Sequence, residues 1–153
     1  MNSKRIAIIL AGIASAGAAI LFYFSQSGAA FIDPSDKGLV VQGKGIYTAH
    51  CAACHGEHLE GQPEWRTRLP NGKLPAPPHD GSGHTWHHPD AVLVDIVKNG
   101  LAPGRTAPDG YQSDMPAYKQ VLSDAEIAAV LAYIKSAWPP DALAMQKELT
   151  LRR

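Results

Sequence analysis

Hydrophobic and polar positions divide the chain into segments of different period. Residues 6–24 are 19 consecutive uncharged, mostly apolar positions, preceded by Lys4 and Arg5. About 20 apolar residues is what a helix needs to cross a bilayer core, so residues 1–24 are predicted to form an N-terminal hydrophobic helix. Residues 25–37 read as a polar linker interrupted by Pro34. From Gly38, the positions Leu39, Val40, Val41, Ile46 and Tyr47 predict a first helix that runs into a turn at Cys51. Val92, Leu93, Ile96 and Val97 share one helical face and predict a middle helix over 89–99, with Gly100 as its stop. Ile127, Val130, Leu131 and Ile134 repeat that spacing in a last helix over 123–138. There Ser123 and Glu126 form a capping-box pattern, and Pro139-Pro140 ends the helix. The tail, 141–153, has only weak periodicity in Leu143, Met145 and Leu149, which leaves open whether it packs on the domain or on a partner. No sheet is needed. The expectation is an all-α chain with a leader (1–24), a linker (25–37), one domain (38–140) and a C-terminal tail (141–153).

Composition adds two constraints. Fourteen glycines and 12 prolines are many for a helical protein, so the loops must be long. Aromatic residues make up only 7% of the chain, so the side chains alone supply a small core. A formal net charge of zero gives no electrostatic case for nucleic acid. Without residues 1–24 the balance is 12 basic to 14 acidic, too even to define a partner's charge.

The leader allows two outcomes. Its basic flank stays in the cytoplasm, so the chain beyond Phe24 is expected outside it. A secretory signal has about 7–15 apolar residues before a small-x-small site, and cleavage near Ala29 or Ala30 would leave a soluble periplasmic protein. An uncleaved anchor explains the longer run and the belt Phe22-Tyr23-Phe24. The anchor is preferred, with the domain on the periplasmic side and the membrane as a partner through this helix.

The chemistry concentrates in Cys51-Ala52-Ala53-Cys54-His55. A Cys-x-x-Cys-His run is the attachment signature of a c-type haem. Two thiols three positions apart each form a thioether to the porphyrin, and the next histidine ligates the iron. A thioredoxin-type pair, half a zinc site or a plain disulfide also use Cys-x-x-Cys. A zinc site wants a second ligand pair and a thioredoxin motif wants a βαβ setting; this chain has no other cysteine, and the stretch before Cys51 reads as helix rather than strand. A buried macrocycle would also supply the apolar centre that the side chains lack.

Gly43 and Tyr47 lie eight and four residues before Cys51. With the haem motif, they make residues 38–140 resemble a class I cytochrome c. The resemblance implies three main helices around one covalent haem c, joined by long loops. It implies that the first and last helices cross at Gly43, with Tyr47 in the crossing and Tyr133 and Trp138 as its aromatic partners. It implies Cys51 and Cys54 as the haem attachment residues and His55 as one axial ligand, with attachment completed outside the cytoplasm. The second axial ligand in this family is commonly a methionine in a loop before the last helix, followed by proline. Met115, in Ser113-Asp114-Met115-Pro116, fits that place, whereas Met1 is the initiator and Met145 lies in the tail. The resemblance also implies a proline carbonyl, from Pro77 or Pro78, accepting a hydrogen bond from His55, and Trp86 with His84 or His87 near the haem propionates. His50 and His58 read as surface residues.

His79, His84, His87 and His88 put four histidines into ten residues. Imidazole suits copper and zinc, so these four are candidates for an extra metal; a loop at the haem edge is the preferred reading. The expected function is a one-electron carrier, not an enzyme, passing electrons between a redox donor and a redox acceptor of a respiratory chain. A tethered haem subunit of a larger oxidoreductase assembly is the alternative, followed by a haem or metal enzyme or sensor using the histidine loop.

Overall fold

The computed structural model describes residues 31–152; the predicted leader lies outside the described residues. Helix α1, Lys37–His50, starts where the Asp36 carboxylate accepts from the Leu39 N–H, which satisfies one of the orphan donors of a first turn. One further turn, α2 (Ala52–His55), follows directly. A 3₁₀ turn at Thr85–His87 precedes α3, Asp90–Asn99, which ends at Gly100 in the left-handed region. Helix α4, Asp124–Ser136, opens on a capping box: Ser123 Oγ accepts from the Glu126 N–H and the Glu126 carboxylate accepts from the Ser123 N–H. Among the described residues there is no strand, only an isolated bridge between Pro103 and Ala107. Nor is any helix among them long and apolar enough to cross a membrane.

The centre of the fold is the crossing of α1 over α4. A Cβ placed on Gly43 would stand 1.9 Å from the Ala129 carbonyl oxygen and 3.0 Å from Tyr133 Cβ. Only glycine allows that approach. One turn on, the buried Tyr47 ring lies 5.3 Å from that of Tyr133, and its hydroxyl donates to the Gly56 carbonyl at 2.9 Å. Ile127, Val130, Leu131 and Ile134 pack with Leu59, Leu93, Leu122 and Trp138 around it.

The tail belongs to this domain. Pro139-Pro140 ends α4 but also begins α5, Pro140–Leu151, because proline suits a first helical position. Helix α5 buries Ala142, Gln146 and Thr150, one turn apart. Beneath it the Asp90 carboxylate accepts from Lys135 Nζ at 2.7 and 2.9 Å, from Gln146 Nε2 at 2.7 Å and from the Ile32 N–H at 2.7 Å. The Asp90 N–H donates to Thr150 Oγ1 at 3.0 Å. The Phe31 ring covers the Lys135 ammonium at 3.7 Å. One compact unit thus begins at Phe31 and takes in α5, where hydrophobic pattern suggested limits of 38 and 140.

Candidate haem site

The end of α1 sets the stage for the Cys-x-x-Cys-His turn. The Cys51 N–H donates to the Tyr47 carbonyl at 2.8 Å, and the Cys51 carbonyl accepts from the Cys54 and His55 N–H groups at 3.1 and 2.9 Å. This single turn leaves Cys51 half-buried, Cys54 exposed and His55 buried. The two thiols are not joined in a disulfide. Burial and the neighbouring Cys54 push the Cys51 thiol up to about 11.

His55 Nδ1 donates to the Pro77 carbonyl at 2.8 Å, which decides between the two prolines. A proton on Nδ1 leaves the Nε2 lone pair available to a metal. Burial holds this imidazole below its ordinary pKa, with the Pro77 hydrogen bond acting in the opposite direction, so the neutral ring is favoured. The Pro77 carbonyl is itself held in place. Gly61, at φ +68°, would bring a Cβ to 2.4 Å from Pro78 N and 2.6 Å from Pro77 C. Just before it, the Gln62 N–H donates to the Ala76 carbonyl, and the Ala76 N–H to Gln62 Oε1, both at 2.9 Å.

Met115 is half-buried, with its N–H donating to Ser113 Oγ at 3.0 Å. Its loop is fastened at several points. Asp114 pairs with Lys73 across the surface. The Tyr118 and Lys119 N–H groups donate to the Val97 and Lys98 carbonyls at 3.0 and 3.1 Å. Tyr118 Oη donates to the His50 carbonyl at 2.6 Å, so the methionine loop lies beside the residue preceding Cys51. Gly100 makes room: a Cβ there would stand 2.9 Å from the Met115 carbonyl oxygen.

The histidine-rich loop does not gather its side chains. His84 stacks on Trp65 at 5.4 Å and meets His88 edge-on at 5.7 Å, whereas His87 lies against Trp86 at 3.8 Å. His79 points elsewhere, onto the His55 ring. Among the described residues no three histidine, cysteine or acidic side chains converge to hold a metal ion; of the four loop rings only His84 and His88 meet, while His79 and His87 turn to other partners. His50 and His58 are exposed. Sequence reasoning missed the contact of His79 with His55, and with it the Trp138 indole N–H that donates to the His79 carbonyl at 2.9 Å. The one available signal was the position of His79 directly after Pro77-Pro78.

The donor set fits a c-type haem. It offers two thiols one turn apart, a neutral imidazole with its second nitrogen already committed, and a thioether on a loop tied beside them. Trp86 Nε1 is buried with no acceptor among the described residues.

Comparison with known proteins agrees. The Cytochrome c family profile matches residues 40–138, from the first turn of α1 to Trp138. Two similar proteins are each named "Cbb3-type cytochrome c oxidase subunit CcoP": one from Azospirillum sp. (strain B510), 32% identical over 102 residues, and one from Azospirillum brasilense, 31% identical over 101 residues. Each alignment covers 65% of this chain and 29% of the relative, so the chain spans about three tenths of the length of the curated relatives it matches. No solved structure matches. With the family profile running across the α1–α4 crossing and the Cys51–His55 turn alike, the chain belongs to the cytochrome c family, whose cofactor is covalently bound haem c.

Proposed function

We propose that the chain is a mono-haem electron carrier of a respiratory chain, with Cys51 and Cys54 holding the haem through thioethers and His55 and Met115 as its axial ligands. The observation that carries this reading is the His55–Pro77 hydrogen bond at the end of the Cys51 turn. It fixes the tautomer and aims a neutral Nε2 away from the loop. Haem held there supplies an iron that changes oxidation state by one electron. The Met115 thioether favours the reduced state and raises the potential. With protein groups on both axial positions no site is open to a substrate, which is why a carrier is preferred to an enzyme or sensor. Trp86 Nε1 is assigned to a haem propionate on the strength of its missing acceptor. The leader, as an uncleaved anchor, keeps this domain at the periplasmic face of the membrane.

A second reading has its own support. Both relatives carry the name of an oxidase subunit, and the match falls on one stretch of each. On that basis the same haem domain works as a tethered subunit of a terminal oxidase or as its immediate electron donor. Sizing of the detergent-extracted protein under native conditions separates the two, since a subunit travels with its complex.

The ligand assignment is tested by the visible spectrum of the exported holoprotein in both redox states. The oxidised protein should show a sulfur-to-iron absorption band, and the reduced protein should not bind carbon monoxide. In Met115→Ala the band should vanish and carbon monoxide should bind rapidly. Rapid binding by the unaltered protein would remove Met115 from the ligand set and favour an enzyme or sensor.

A further inference from the structure

One side chain beside the ligand turn makes a contact that the electron-carrier reading leaves unused. The His79 imidazole lies face to face with that of His55, ring centroids 3.8 Å apart and planes within 15°. Its Nδ1 is buried and has no hydrogen-bond partner among the described residues. Buried ring nitrogens are normally paired, so this ring is placed by its faces rather than by a polar partner.

The backbone around it is fixed from several directions. The His79 N–H donates to the Leu59 carbonyl at 2.8 Å, and its own carbonyl accepts from Trp138 Nε1 at 2.9 Å. Leu59 is buried and takes a left-handed φ of 71°, which a branched side chain rarely adopts; in that conformation its carbonyl accepts from both His79 and Asp80. Gly83 packs on the Pro78 carbonyl so closely that a Cβ would stand 2.1 Å from the oxygen. The His79 ring also meets Tyr47 edge-on at 5.9 Å. A strained turn, a close-packed glycine and a tryptophan all hold one imidazole against another.

We propose that His79 is a positioning residue that sets the plane of the His55 ring. The Pro77 carbonyl holds a single ring atom, and a ring held by one hydrogen bond still swings about that bond. A flat neighbour at van der Waals distance removes the swing. The plane of an axial imidazole governs how its π electrons mix with the iron d orbitals, so a fixed plane gives one set of electronic levels and one potential. This inference rests on the reading of His55 as an axial ligand.

The test uses the full chain, exported with haem attachment, carrying His79→Phe, His79→Ala or His79→Leu. Covalent haem content is measured first, then the electron paramagnetic resonance of the oxidised protein and its reduction potential. The phenylalanine variant keeps a flat face and loses the nitrogens; it should retain the g values and potential of the unaltered protein. The alanine variant should show a shifted or broadened largest g value and a shifted potential at full haem content. The leucine variant restores volume without a flat face, should behave like alanine, and takes its place if alanine fails to mature. The proposal is overturned if the alanine or leucine variant matches the unaltered protein in both readouts. It is equally overturned if phenylalanine departs as far as alanine does. Failure of the underlying reading looks different, because the unaltered chain would then carry no covalent haem or show no histidine ligation.

Discussion

At the scale of single residues, the decisive positions are those where one atom more would not fit. Gly43 and Gly45 lie two residues apart on α1, yet only the first is constrained. A methyl group on Gly43 collides with the α4 backbone at Ala129, whereas one on Gly45 meets nothing within 4 Å. Gly43→Ala is therefore expected to destabilise the holoprotein by about 2–4 kcal/mol through overpacking. Gly45→Ala should stabilise it by roughly 0.5–1 kcal/mol through helix propensity. Denaturant unfolding of the two variants checks both signs, and equal effects would contradict the crossing geometry. The special status of Gly43 was legible only through the family resemblance that its distance to Cys51 supports. The choice of Pro77 over Pro78 was not, since adjacent prolines offer the same carbonyl and only the approach of His55 distinguishes them.

At the scale of elements, α5 shows where periodicity loses its hold. Its buried residues Ala142, Gln146 and Thr150 recur every four positions as a helix face must, but two of them are polar. A search for apolar stripes passes over such a face. What it covers is a charge pair, Lys135 with Asp90, whose side chains are 0% and 4% exposed. Burial holds the Lys135 ammonium below the usual lysine range, against the pull of Asp90 in the other direction. Lys135→Met leaves a buried carboxylate with only the Ile32 N–H and the Gln146 amide as donors. The expected loss is about 3–5 kcal/mol, because an uncompensated charge is left in the interior. The pair Lys135→Met with Asp90→Asn should recover most of it. A double-mutant cycle in denaturant gives the comparison, and additive losses would show that the two groups do not depend on each other.

At the scale of the whole molecule, the compact unit reaches further toward the leader than its polar sequence suggested. Residues read as linker include Phe31 and Ile32, which the structure packs on Lys135 and Asp90. A chain exported behind a cleavable signal and beginning at Phe31 should mature to a holoprotein with the spectrum of the full-length form. One beginning at Gly38 should keep that spectrum but melt roughly 5–10 °C lower, from loss of about 2 kcal/mol in charged hydrogen bonding and packing. Equal melting temperatures would mean that residues 31–37 contribute nothing to the fold. Local signals in the chain sufficed for the Cys51–His55 turn, the capping box at Ser123 and the helix faces, because each is written within a few turns of backbone or by spacing along one helix; the crossing at Gly43 came from the family resemblance that those signals carried. The partners of the other buried groups were beyond that reach. For His55 the resemblance had narrowed the acceptor to two adjacent prolines, but Lys135 meets Asp90 across 45 residues, Ile32 meets Asp90 across 58 and Trp138 meets His79 across 59 with nothing in the chain to announce them. Periodicity specifies which face turns inward, but it carries no information about which distant polar atom waits there. Those pairings, and the stacking of His79 on His55, came only from closing the long loops around the crossed helices.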